Sequence, residues 1–363
     1  MSERVFNFSA GPAVMPESVL RQIQEEMLVL PGAGASVLEI SHRSGDFIAV
    51  QEAAQDNLRK LLSIPDAYEI LLLQGGSRLQ FSMVPMNLLG NGQTADYVLT
   101  GSWGKNALQE AKKVGATRVA WDGAATGYDR LPEKGDLDLE PQAAYVHFTS
   151  NETIEGVQFL KEPEVGDVPL VCDASSDFLC RPIPVERYGL IYACAQKNAG
   201  PAGVTVVIVR KDLLGRSDPK LPGYLNYQTH ADADSMWNTP PTFAIYVLKL
   251  VTRWILDEFG NLENLLHQNR SKARLLYDEL DASEGFYQGH AHRDSRSLMN
   301  VTFRLPSDEL TEQFVKQARE RKLDSLKGHR SVGGIRASIY NAMPLAGVEA
   351  LRDYMHEFRQ ENA

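Results

Sequence analysis

The feature that most constrains this chain is an alternation running from about residue 69 to residue 210. Short apolar runs recur at Ile70–Leu73, Ala95–Leu99, Ala143–Phe148, Leu170–Val171, Leu190–Ala195 and Val204–Val209, each ending in a polar or glycine-bearing loop. Helix-like segments follow several of them, as at 77–89 and 103–114. Strand-then-helix alternation predicts an α/β layer around a mostly parallel sheet. Ligands of such sheets sit beyond the carboxyl ends of the strands. The residues just after each run are therefore where chemistry is sought.

A first helix is expected after Pro16, where Val19, Leu20, Ile23 and Met27 recur at helical spacing. The stretch Phe243–Phe259 is apolar nearly all round, which predicts a buried or interface-spanning helix. A further helix over about 262–280 links a large domain to a smaller one. After it, Met299, Val301, Phe303 and Leu305 alternate with polar residues, as do Ile335, Ala337 and Ile339. The C-terminal part thus reads strand, helix, strand, helix. The expected division is a large domain over 16–260 and a small α/β domain over 261–363, with segment 1–15 packing on the latter.

The formal net charge of −10 argues against non-specific nucleic-acid binding. An anionic substrate would need a local basic pocket. Cys172, Cys180 and Cys194 form no CxxC pair, so neither a thiolate zinc site nor a disulfide framework is expected, and they read as buried core thiols. His290 and His292 in a loop are too little for a metal site. The N-terminus lacks a signal-peptide plan, and no apolar run is long enough to span a membrane, so a cytoplasmic location is expected.

Three segments point to chemistry. Lys197 lies in the turn Ala195-Gln196-Lys197-Asn198-Ala199-Gly200-Pro201-Ala202-Gly203 between two apolar runs. Apolar walls favour a neutral amine, which suits Schiff-base chemistry. The plainer alternative is a lysine snorkelling out of a hairpin. Asp173 ends the run Pro169–Cys172, where a carboxylate can hold a pyridine nitrogen protonated, or simply cap a helix. Gln74-Gly75-Gly76-Ser77-Arg78 follows the first run and can cradle a phosphate on backbone N–H groups at a helix N-terminus. Trp103, in Gly101-Ser102-Trp103-Gly104, is placed to stack on a flat ring or to pack in the core.

Together with NFSAGPA at 7–13, SHRS at 41–44, GGSRLQF at 75–81, GSWG at 101–104, NETIEG at 151–156, QKNAGPAG at 196–203, NTPPTF at 238–243 and GHRSVGGIRASIYNA at 328–342, these segments are spread along nearly the whole length of the chain. In them the sequence closely resembles the phosphoserine aminotransferase family, class V aminotransferases of pyridoxal-phosphate (PLP) fold type I. The resemblance implies a PLP-binding large domain with a mostly parallel sheet flanked by helices, plus a smaller C-terminal α/β domain. It implies that Lys197 carries the cofactor as a Schiff base and shuttles a proton, and that Asp173 pairs with the pyridinium. Trp103 would stack on the ring and Thr153 would bond its phenolic oxygen. Ser77 (through its backbone N–H), Arg78 and Gln196 would hold the cofactor phosphate. Asn238 and Thr239 would reach that phosphate from a partner subunit, making the active unit a homodimer.

For substrates the resemblance points to His42 and Arg43, to Ser9, and to Arg336 as the clamp on the α-carboxylate. His329 and Arg330, from the other subunit, would add charge for a substrate phosphate. The implied reaction moves the amino group of L-glutamate to 3-phosphohydroxypyruvate, giving O-phospho-L-serine and 2-oxoglutarate in serine biosynthesis. Some members also act on 4-phosphohydroxy-L-threonine in vitamin B6 biosynthesis. The alternative is another class V enzyme, such as an alanine–glyoxylate aminotransferase or a cysteine desulfurase-like lyase.

Overall fold

The computed structural model describes residues 4–363. Its main sheet has seven strands: β1 (Tyr68–Leu73), β2 (Thr94–Leu99), β3 (Ala116–Asp122), β4 (Val146–Thr149), β5 (Leu170–Asp173), β6 (Tyr188–Cys194) and β7 (Thr205–Arg210). Their order is β1-β7-β6-β5-β4-β2-β3. All pairings are parallel except those of β7, which runs antiparallel to both β1 and β6. The fold is α/β with a mostly parallel sheet, as the alternation predicts. β7 is the exception because it returns from β6 through a turn too short for a helical crossover.

Alternate side chains of the central strands enter opposite cores. Ile70 and Leu72 of β1, Ile191 and Ala193 of β6, and Val206 and Ile208 of β7 face one way. Leu71 and Leu73, Leu190 and Tyr192, and Val207 and Val209 face the other. Both faces are covered by helices, which is why these strands read as continuous apolar runs. Of helices α1 (Glu17–Glu26), α2 (Gly45–Leu62), α3 (Gly76–Leu88), α4 (Ser102–Ala111) and α5 (Thr242–Phe259), the first two and α5 cover the first face. α3 and α4 cover the second. The sequence reading missed β3: it is an edge strand in which only Ala120 is buried, so no apolar run marks it.

A second core gathers Phe303, Phe314, Tyr354 and Phe358, with edge-to-face contacts among the rings. It lies between helices α6 (Leu262–Asp281), α7 (Asp308–Glu320) and α8 (Leu345–Asn362) and an antiparallel sheet of β8 (Gln288–Gly289), β9 (Asn300–Arg304) and β10 (Ile335–Ser338). Phe8 is buried in this core, and Phe6 and Asn7 pair in parallel with Leu323 and Asp324. The turn after β10 ties this body to the first. From α6, the fully buried Lys272 donates to the carbonyls of Ile339 (3.1 Å), Tyr340 (2.7 Å), Asn341 (3.3 Å) and Met343 (3.2 Å). Asn341 N–H in turn donates to Asn198 Oδ1 at 2.9 Å, beside Lys197.

Within the second-face core, His147 on β4 shares a 2.8 Å hydrogen bond with the Tyr192 hydroxyl and stacks on Tyr97. Burial pushes its imidazole down to about 3. In the unfolded chain it takes up a proton near pH ~6.5. The unfolded state therefore binds more protons between those values, and folding stability falls as pH drops through that window, by at most about 1.4 kcal/mol per pH unit from this group. Urea unfolding of wild type and His147→Gln at pH 7 and pH 5 should show the variant losing about 2 kcal/mol less on acidification. Equal losses would contradict a neutral buried imidazole.

Candidate active site

The loops leaving the carboxyl ends of β1, β2, β4, β5 and β6 surround a cavity of about 370 Å³. Ser77, Arg78, Trp103, Thr153, Asp173, Gln196 and Lys197 all line it. Residues predicted from five separate segments thus converge where the sheet topology places a ligand.

Lys197 occupies the β6–β7 turn. Its Nζ donates to Thr153 Oγ1 at 2.8 Å and lies 5.5 Å from the Trp103 ring centroid. The turn is braced by the N-terminal segment: Ala13 N–H donates to the Gln196 carbonyl at 2.9 Å, and Tyr340 Oη donates to the Ala10 carbonyl at 2.7 Å. Gly11 packs on the lysine stem, where an added Cβ would lie 3.4 Å from Lys197 Cγ. Asp173, at the end of β5, is buried, and burial raises its carboxyl above the usual range. Ser175 opposes that shift by donating both its N–H (3.0 Å) and its hydroxyl (2.5 Å) to Oδ1. No donor among the described residues reaches Oδ2. Ser175 Oγ also meets Ser77 Oγ at 2.6 Å, so one hydroxyl links the β5 acid to the start of α3.

Two helices point their N-termini at this cavity, and they differ. α3 begins at Gly75 (φ +93°) and Gly76 (φ +63°), has no side-chain cap and no acid in its first turn. A Cβ on Gly75 would collide with Leu79 at 2.4 Å, so glycine is required there both sterically and by its left-handed backbone. The free N–H groups of the first turn form an anion site. In α4 those groups are taken. Glu155 Oε1 accepts from Ser102 N–H (2.9 Å) and Oγ (2.7 Å), while Glu152 accepts from Trp103 N–H (2.9 Å) and Gly104 N–H (2.8 Å).

Arg336, on β10, also lines the cavity, as does His329. The Arg336 guanidinium is half-buried, burial pulls it below its usual range, and no carboxylate bonds it among the described residues. Partial burial, together with the Arg336 and Arg330 charges, holds the His329 imidazole below its usual range. The resemblance implies that His329 comes from the other subunit; in this chain its side chain lines the cavity beside Arg336. A close backbone pairing, Gly328 N–H to Gly334 O at 2.8 Å, folds the loop back over β10 and turns His329 inward. Arg330 is exposed beside it.

The other predicted residues lie outside the cavity. Ser9 sits next to its Ala10–Gly11 wall and accepts from Gly11 N–H at 3.4 Å. His42 and Arg43 precede α2, with Arg43 exposed. Asn238 donates to Gln74 Oε1 at 3.2 Å, and Thr239 is exposed. Sequence reasoning missed Ser175, Glu152 and Glu155 as parts of the site. NETIEG carried the signal for the two glutamates, since two acids flank the threonine that bonds Lys197. The sequence pattern marks the three cysteines as core thiols. All three are buried, but Cys194 reaches the cavity wall from the end of β6.

A lysine amine, an acid with one free oxygen and an uncapped glycine-fronted helix N-terminus surround a space that Trp103 borders with its ring. That donor set fits a phosphorylated pyridine aldehyde. The family model of class-V aminotransferases matches residues 5–351, and the chain belongs to this family. Within it the chain is a member of the phosphoserine aminotransferases. It is 61% identical to the phosphoserine aminotransferase of Rhodopirellula baltica, over 99% of this chain and 96% of that one. The solved phosphoserine aminotransferase from Bacillus circulans subsp. alkalophilus superposes with a TM-score of 0.97 at 50% identity, covering all of both chains. The PLP-bound enzyme from Trichomonas vaginalis superposes at 0.92 and 39% identity, over 97% of this chain and 100% of that one. The protein is a PLP-dependent aminotransferase.

Gly101 shows how tightly the α4 end is built. A Cβ there would stand 2.6 Å from both Glu152 Cδ and Glu155 Oε2, side chains held by hydrogen bonds in a buried site. Gly101→Ala should therefore destabilise the fold by about 1–3 kcal/mol through overpacking. Urea denaturation checks this, and an unchanged midpoint would show that the carboxylates yield freely.

Proposed function

We propose that this enzyme transfers the amino group of L-glutamate to 3-phosphohydroxypyruvate, giving 2-oxoglutarate and O-phospho-L-serine, as a step of cytoplasmic serine biosynthesis. The observation that carries the reading is the half-buried guanidinium of Arg336, which no carboxylate pairs among the described residues and which lines the same cavity as Lys197 and His329. A cation held there without a carboxylate partner calls for an anionic ligand. This concentration of basic groups runs against a net charge of −10.

Bound PLP supplies an electron sink for the charge left at the substrate Cα. The remaining work falls to side chains. Lys197 would hold the cofactor through its amine and, once that amine is free, would move the proton at the substrate Cα. Thr153, which accepts from Nζ, keeps the lysine oriented and would use its hydroxyl proton to help hold the cofactor ring. Asp173 would hold the cofactor's ring nitrogen in its protonated form, and a cation there would relieve the cost of burying the carboxylate. Trp103 would stack on the ring. The first-turn N–H groups of α3, with Ser77, Arg78 and Gln196, receive the cofactor phosphate. Arg336 takes the α-carboxylate in two parallel hydrogen bonds, with Ser9 close to the glutamate position. His329, Arg330, His42 and Arg43 form the basic set for the substrate phosphate.

The working unit on this reading is a homodimer. Asn238 and Thr239 lie outside their own chain's cavity, and Leu28, Leu38 and Trp237 are large exposed apolar side chains suited to an interface. The same anion pocket would admit 4-phosphohydroxy-L-threonine as a second substrate. An alanine–glyoxylate reading is less favoured, because a plain keto acid leaves the basic set unused. A solved alanine–glyoxylate aminotransferase from Nostoc shares the fold at 17% identity with a TM-score of 0.77. A desulfurase would need a mobile nucleophilic cysteine, whereas Cys194 is fixed in β6.

Two outcomes check the reading. With glutamate as donor, kcat/KM for 3-phosphohydroxypyruvate should exceed that for unphosphorylated hydroxypyruvate by about 100-fold, the size expected of one or two charge-assisted hydrogen bonds. Equal values would remove the phosphorylated substrate. Lys197→Ala should show no glutamate-dependent turnover, and substantial activity in it would remove the lysine assignment.

A further inference from the structure

The loop 151–155 and the start of α4 carry two different contacts to the same ligand space: Thr153 on one, Trp103 on the other. Nothing in the covalent chain fixes their spacing, since they leave different strands. Glu152 does so. Its side chain is fully buried, and its two oxygens accept from the backbone N–H groups of Trp103 (2.9 Å) and Gly104 (2.8 Å). Its own backbone belongs to a short hairpin, Asn151–Glu152 paired with Val157–Gln158, whose turn holds Thr153. Gly156 N–H donates to the Glu152 carbonyl at 2.8 Å and closes that turn.

The arrangement is costly, which argues that it has a use. Glu152 and Glu155 are buried side by side, and burial together with the Glu155 charge raises the Glu152 carboxyl above its usual range. Serine, asparagine or aspartate at position 101 is the ordinary way to cap a helix. Gly101 instead opens the space that admits two carboxylates from another strand. The polar restraints on the Trp103 indole itself are weak: its Nε1 is buried without a hydrogen-bond partner among the described residues, and Arg78 and Lys197 approach the ring only to 5.4 and 5.5 Å. Its backbone anchor is therefore the main polar restraint on where the ring sits.

We propose that Glu152 is a positioning residue that registers the Trp103 ring against Thr153 and so fixes the width of the slot into which the cofactor ring fits. By occupying the α4 N-terminus it also leaves α3 as the open helix end for a phosphate. The inference rests on the proposed role of Trp103 as a ring contact.

The test is a double-mutant cycle on PLP affinity, measured by titrating the apoprotein with PLP and following the visible circular dichroism of the bound cofactor. Wild type, Glu152→Gln, Trp103→Ala and the double variant are compared; Gln keeps the volume but sets an NH₂ against a backbone N–H. Glu152→Gln should weaken PLP binding by about tenfold and alter the dichroic band, and in the Trp103→Ala background the same change should have little further effect. Additive losses would overturn the proposal while leaving Trp103 as a ring contact. If Trp103→Ala leaves affinity and band unchanged, the ring-contact reading fails and takes the proposal with it. Failure of Glu152→Gln to yield folded protein would make Glu152 a folding residue and overturn the proposal too.

Discussion

The site depends on the antiparallel return of β7. Because β7 pairs with both β6 and β1, the chain must turn tightly at the carboxyl edge of the sheet, and Lys197 lies in that turn. A helical crossover would have carried the lysine away from the edge where the other loops meet. The turn is then held from three sides: Ala13 on the Gln196 carbonyl, Asn341 on Asn198, and Thr153 on the lysine amine. Each brace comes from a different part of the chain, so the lysine reports on the assembly of the whole molecule.

The same edge separates two electrostatic tasks. On the β5 side, a buried carboxylate is raised in pKa and held by Ser175, ready for a cationic partner. On the β10 side, a half-buried guanidinium has its charge disfavoured and awaits an anionic one. Each group alone is a liability in the folded protein. On the proposed function, a protonated ring at one end and a carboxylate at the other would satisfy both. Lys272 contributes at a distance, since its four carbonyl contacts hold the turn that follows Arg336 on β10 and leads back to Asn198.

Much of this was legible in the sequence, for physical reasons that differ between elements. Strands buried on both faces appear as unbroken apolar runs, so β1, β2 and β4–β7 were visible, while β3, at the sheet edge, was not. The place of Lys197, Asp173 and the Gly75–Gly76 turn at the cavity was readable because in such sheets the crevice lies beyond the carboxyl ends of the strands. Ser175, Glu152 and Glu155 were not, because their roles come from contacts across the fold: Ser77 to Ser175 spans β1 and β5, and Glu152 to Trp103 spans β4 and β2. The lining of the cavity by His329 of the same chain was not legible, because no sequence pattern shows that the Gly328–Gly334 pairing folds its loop back over β10.

The most direct test of the account is chemical mapping of the cofactor's attachment. The purified protein is loaded with PLP, reduced with borohydride, digested and read by mass spectrometry. The account predicts one phosphopyridoxyl group, on Lys197, and none on the buried Lys272. A label on another lysine, or no stable label in a protein that binds PLP, would contradict it.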